Sequence, residues 1–212
     1  MTRPNTKCIA AVAMYFTFSV CLGRAQDQST TTLNFNQQQI VRVAEEVRKQ
    51  IVMLPQYGVF DHIHFAIKGT DTIVLQGYAS RPTLKSSAEN VVKKIDGVTR
   101  VDNQIQVLAL SPNDDRIRAA VYASIYGYPA LQKYTSNRGG PRARSIARAA
   151  GGITNDPPTG FHAIHIIVEN GNVTLTGVVN NDSDLAIAEM RANIVPGVFS
   201  VDNDLQVASQ EK

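Results

Sequence analysis

Gly97-Val98-Thr99-Arg100-Val101-Asp102-Asn103-Gln104-Ile105-Gln106-Val107 returns one hundred positions later as Gly197-Val198-Phe199-Ser200-Val201-Asp202-Asn203-Asp204-Leu205-Gln206-Val207. Gly, Val, Val, Asp, Asn, Gln and Val recur in register. Identity of that quality over so short a window marks a duplication, so the chain carries two copies of one small unit. The repeat extends upstream. Gly77 stands twenty residues before Gly97, and Gly177 twenty before Gly197. Ile63-His64-Phe65 matches Ile164-His165-Ile166 with an offset one residue longer. Lys68-Gly69-Thr70-Asp71-Thr72 in the first copy faces Glu169-Asn170-Gly171-Asn172 in the second. A hairpin tip absorbs such a change, whereas packed strands and helices hold their length.

Within each copy the apolar period switches as the elements change. Ile40, Val43, Ala44, Val47, Ile51 and Leu54 recur at three- and four-residue spacing, the stripe of an amphipathic helix that Pro55 and Gly58 end. Ile63, Phe65 and Ile67 alternate with His62, His64, Ala66 and Lys68, which is strand period. Ile73, Leu75 and Gly77 continue it after a tight turn, and the pair reads as a hairpin. Pro82 opens a helix with Leu84, Ala88, Val91, Val92 and Ile95 inward, and Gly97 suits its C-terminal cap. Val101, Ile105 and Val107 give a third strand.

Leu110 to Asp114 forms the boundary, with Asn113 or Asp114 expected to cap the next helix. That helix shows Ile117, Val121, Ser124, Ile125 and Tyr128 as its apolar side. Ile164 to Val207 then repeats hairpin, helix and strand. The predicted fold class is α+β: two αββαβ units, each a three-stranded mixed sheet with two helices packed on one face.

Three further segments frame these units. Arg3 and Lys7 precede an apolar run from Cys8 to Leu22, and Gly23-Arg24-Ala25 offers small residues at a cleavage site. Residues 1–25 therefore read as a secretory signal peptide, giving a periplasmic location after cleavage near Ala25. Both cysteines lie inside it, so the mature chain is expected to hold no disulfide and no cysteine metal site. Residues 26–36 have no period and read as a flexible leader. The first unit spans 37–110 and the second 111–212. The second carries an insertion over about residues 134–160, rich in Gly, Pro and Arg, with a short helix expected around Arg142 to Ala150.

The order of elements, the glycine closing the second hairpin strand, the Gly-Val before the last strand and the Val-Asp-Asn inside it resemble the BON domain of bacterial cell-envelope proteins. The resemblance covers nearly all of the mature chain, twice. It implies a non-enzymatic protein that binds phospholipid surfaces and helps keep the envelope intact under stress. The family is typified by an osmotically inducible periplasmic protein. Gly77, Gly97, Gly177 and Gly197 then read as structural glycines.

Charge excludes a broad attraction to nucleic acid. The 21 basic residues fall to 18 against 18 acidic once Arg3, Lys7 and Arg24 are removed. No Walker loop, Gly-x-Gly-x-x-Gly cradle or nucleophile elbow is present. His64 and His165 hold equivalent strand positions and read as residues of a solvated sheet face, with His62 and His162 nearby. No carboxylate or thiol constellation completes a metal site. Asp102 and Asp202 likewise read as solvated strand residues. Arg138, Arg142, Arg144 and Arg148 are the sharpest local charge feature, because guanidinium forks match lipid-headgroup phosphates. The expected partner is a phospholipid surface or another envelope protein, with no cofactor, metal, nucleic acid or small-molecule substrate. The alternative is a protein–protein adaptor or oligomerising module, built on exposed sheet edges.

Overall fold

A computed structural model describes residues 27–69, 71–136, 152–154, 157–158 and 160–208, with side chains from residue 37 onward. The signal-peptide segment and Arg138, Arg142, Arg144 and Arg148 lie outside the described residues. So does the helix expected around 142–150.

The first copy opens with helix α1 (Asp27–Val52). Its inward stripe is the expected one: Val43, Val47 and Ile51 are buried, with Leu54 just beyond. It starts at Asp27, thirteen residues before the apolar period begins at Ile40, and the backbone over 27–36 is helical rather than an aperiodic leader. No proline or glycine interrupts Asp27–Val52, so nothing in the local sequence stops the helix from running past its packed part.

Strand β1 (His62–Lys68) pairs antiparallel with β2 (Thr72–Ala79), in register Ile63↔Gly77. Helix α2 (Pro82–Val92) then crosses back. The third strand is broken into β3 (Arg100–Asn103) and β4 (Gln106–Val107), both parallel to β2. The central strand β2 is thus antiparallel to one neighbour and parallel to the other, which makes the sheet mixed as predicted. The two helices cover one face. Between them and the sheet lie Ile63, Ile73, Leu75, Leu84, Ala88, Val92 and Ile105.

The second copy repeats this with α3 (Pro112–Tyr126), a 3-10 turn at Pro129–Tyr134, β5 (Ile164–Glu169), β6 (Asn172–Val179), α4 (Asp182–Asn193) and β7 (Ser200–Val207). Two local expectations are corrected. Ser111, not Asn113 or Asp114, caps α3, accepting from Asp114 N at 3.2 Å. The buried Asp114 carboxylate instead accepts from Asn170 N and Gly171 N at 3.1 and 2.9 Å, tying the helix start to the β5–β6 turn. The buried tyrosines of α3 are Tyr122 and Tyr126, while Tyr128 is exposed. Tyr126 Oη donates to Ile164 O at 2.5 Å and accepts from Ile164 N at 3.1 Å. A buried phenol that can satisfy both groups at the start of a strand is worth more there than a third apolar side chain.

The repeated run has a specific structural use. Asn103 Nδ2 donates to Lys85 O at 3.1 Å and Glu89 Oε2 at 3.0 Å, and its Oδ1 accepts from Ile105 N at 3.2 Å. Asn203 repeats this on Leu185 O at 3.3 Å, Glu189 Oε2 at 3.0 Å and Leu205 N at 3.3 Å. One amide therefore clamps the last strand to the second helix in each copy. The aspartates before them, Asp102 and Asp202, are exposed.

Gly77 and Gly177 hold φ of +108° and +126°, and a Cβ at either would run into a carbonyl oxygen at the start of the neighbouring strand, that of His62 in β1 or of Ala163 just before β5. Only glycine meets both conditions. Gly97 and Gly197, after the second helices, match each other with φ of +94° and +93°.

Candidate functional site

The two copies are not beads on a string. After Leu54 and Tyr57, which stay with the first copy's core, the segment following α1 crosses to the second copy. Val59 and Phe60 are fully buried in the second copy's core, where Phe60 meets Tyr122 edge-on at 6.4 Å. Val59 O accepts from Ile166 N at 2.8 Å, at the edge of β5. Asp61 holds the segment in shape: its buried carboxylate accepts from Gly58 N at 2.9 Å and Ser80 N at 2.6 Å. Burial raises its pKa, and those two backbone donors act against the rise.

This crossing brings together histidines that the sequence places on separate sheets. His62 and His64 are two residues apart on one face of β1, with ring centres 5.4 Å apart. His62 also lies 6.1 Å from His165 of the second copy, whose ring packs on Tyr57 at 5.5 Å. His165 Nδ1 donates to Gly58 O at 3.2 Å. The expectation of two solvated strand histidines is therefore met by exposed His64 and corrected for half-buried His165. The physical reason is that the open face of the second sheet is covered by the first copy.

Burial pushes the His165 pKa down to about 4, and neighbouring His62 adds to the fall. Burial also lowers that of His62, helped by His64 and opposed by Asp204. Burial pushes the Tyr57 phenol up to about 12. His162 is buried apart from this group, donating from Nδ1 to Gly160 O at 2.9 Å, with Tyr122 Oη 3.2 Å from Nε2.

Between the copies lies a cleft of about 590 Å³. One wall is the open face of the second sheet, with Thr174, Thr176, Asp204 and Gln206. The other carries Ile51, Phe65, Tyr78, His62 and His64, with Arg48 from α1 also on the lining. Thr176 is buried, and its hydroxyl has no hydrogen-bond partner among the described residues. Among the described residues, no three His, Asp or Glu side chains already stand around one point as metal ligands would.

Two features were missed in the sequence reading, and one of them lay beyond it. Arg118 is 2% exposed; its guanidinium donates to Asp115 Oδ1 at 2.7 Å, Thr154 Oγ1 at 3.3 Å and Val168 O at 2.7 Å. Arg81 of the first copy donates to Thr154 O at 2.6 Å, so the end of the insertion is held by both copies. In sequence, Arg118 looks like any charged residue of a helix.

The other feature was readable from the duplication. Asn90, Lys94 and Thr99 of the first copy become Met190, Ile194 and Phe199 in the second. All three apolar side chains are exposed, by 62%, 59% and 79%. Met190 on α4 and Ile194, which caps its C-terminal end, are one turn apart on the same side. No helix among the described residues is long and apolar enough to cross a membrane.

Comparison with known proteins agrees with this architecture. Two solved structures of CdsD, a structural protein of the Type III secretion system of Chlamydia trachomatis, overlap the chain at 15% and 14% identity. They cover 77% and 78% of this chain and 96% and 93% of theirs, each with a TM-score of 0.25, too low to bear on fold or partner. No curated protein matches. The BON domain profile matches twice, over residues 39–109 and 142–209, each match ending two residues past the last strand of its copy. The chain belongs to the BON domain family, of which it holds two packed copies.

Proposed function

We propose that this is an exported, non-enzymatic protein of the cell envelope that associates with phospholipid surfaces and supports envelope integrity under stress. BON membership supports the coarser part of this reading, an envelope-associated role without catalysis. The observation that carries the finer part is the apolar group Met190, Ile194 and Phe199, present in one copy and replaced by polar residues in the other. Packing inside the unit does not require it, because the first copy has the same fold without it. Large exposed apolar side chains lose water favourably at a bilayer interface. Arg138, Arg142, Arg144 and Arg148 belong to the same copy. Each basic residue near an anionic surface adds on the order of 1 kcal/mol at low screening. Export follows from the signal-like residues 1–25, with cleavage near Ala25 and a periplasmic destination.

The test is co-sedimentation of residues 26–212 with anionic and neutral vesicles across a salt series. Binding to anionic vesicles is expected to fade with salt. It is expected to drop in Arg142→Ala/Arg144→Ala and, independently of salt, in Ile194→Ser/Phe199→Ser. The adaptor reading draws on a different observation. Strand β7, the outer strand in the order β5-β6-β7, has no strand partner on its outer side among the described residues. An exposed edge accepts a strand from another chain. Absence of binding to either vesicle at low salt, with a stable oligomer or partner complex, moves the assignment to that reading.

A further inference from the structure

The cleft between the copies presents imidazole nitrogens that no described residue hydrogen-bonds. His62 and His64 line it, and neither ring makes a hydrogen bond to a described residue. They project from one face of one strand, so their spacing is set by the backbone rather than by a loop. Two imidazoles whose nitrogens both sit at roughly 2.0–2.1 Å from one ion place their ring centres about 5 Å apart. The observed separation is 5.4 Å.

We propose that His62 and His64 form an open, two-imidazole site for a borderline divalent transition-metal ion, of which Zn²⁺ is the natural probe, at the boundary between the two BON copies. Imidazole suits zinc and its neighbours, whereas calcium and magnesium take oxygen donors. Two protein ligands leave the remaining positions to water, since no group of three ligating side chains stands together among the described residues. Two groups in the same cleft complement such an ion. Asp204 lines it and acts electrostatically on His62, so it supplies opposite charge. The buried, unpartnered Thr176 hydroxyl is a ready partner for a metal-bound water. An ion there sits beside residues of both copies, so binding stabilises their packed arrangement. The proposal is independent of phospholipid binding.

The experiment is calorimetric titration of ZnCl₂ into untagged residues 26–212 at pH 7.5 in a weakly coordinating buffer, repeated at pH 5.5. It is paired with melting curves with and without Zn²⁺. One saturable equivalent is expected at pH 7.5, weakened at pH 5.5 as protons compete for the rings. His64→Ala tests the site without threatening the fold, because His64 is exposed. It is expected to weaken binding at least tenfold and to abolish the rise in melting temperature. His62→Gln is expected to do the same. Absence of saturable Zn²⁺ binding at pH 7.5 overturns the proposal, and so does binding unchanged in His64→Ala.

Discussion

Replacing Asn203 by alanine tests what the repeated Val-Asp-Asn is for, and the chain supplies its own replicate in Asn103. Each side chain makes two hydrogen bonds to backbone, one to a helix carbonyl and one from an amide two residues on, and a third to a glutamate. A neutral hydrogen bond contributes about 1 kcal/mol net. The bonds to Glu89 and Glu189 involve a charge, which favours them, but both carboxylates are partly in water and screened. About 1 kcal/mol is a fair value for each of those as well. The expected loss is thus about 2–3 kcal/mol per site, part of the penalty being the helix carbonyl and strand amide left without a partner.

Urea unfolding of Asn103→Ala and Asn203→Ala, followed by circular dichroism, measures it. Asn→Asp at the same positions separates the clamp from simple truncation. It keeps the acceptor, loses the donor and sets a second carboxylate against Glu89 or Glu189, so its cost is expected to shrink as pH falls into the carboxylate range. Losses below about 1 kcal/mol at both sites would refute the clamp. A large loss at one site and none at the other would refute its equivalence in the two copies.

Gly77→Ala and Gly177→Ala each force a side chain into a backbone carbonyl at positive φ, and about 3 kcal/mol or more is expected at either site, read from the urea midpoint. His165 gives a pH prediction. Its folded pKa of about 4 lies below the ordinary 6.5, so the unfolded chain takes up the proton first. The stability held by neutral His165 is complete above pH 6.5 and drains away as pH falls toward 4. Between pH 7 and 4.5 it accounts for about 2 kcal/mol of lost stability. His165→Gln is expected to remove that share of the acid sensitivity, and an unchanged pH profile in that variant would show that His165 is not held neutral by the interface.

The exposed group Met190, Ile194 and Phe199 and the strand clamp illustrate opposite uses of a duplication. Where the copies agree, as at Asn103 and Asn203 or Gly77 and Gly177, the residue holds the fold. Where they differ at exposed positions without changing the fold, the difference points outward. Arg118 belongs to neither class. It is buried in the second copy only, and it ties the insertion to the sheet by bonding Thr154 and the Val168 carbonyl. Removing one partner from such a pair would leave a buried charge unpaired.

The sequence by itself determined the duplication, the αββαβ order and the positions of the glycines. Periodicity and glycine geometry are local properties, written in the spacing of side chains along one element. It also placed the alternating faces of β1 and β5 correctly, with Ile63 and Ile164 turned to the helices. What it did not hold was which open face meets which. His165 reads as a solvated strand residue until residues 53–61 carry Val59 and Phe60 into the other copy's core and cover it. The same crossing assembles the cleft and brings His62 to His165. Contacts between residues a hundred positions apart leave no period in the chain, because they depend on how two finished surfaces fit. Only the tertiary structure decides them.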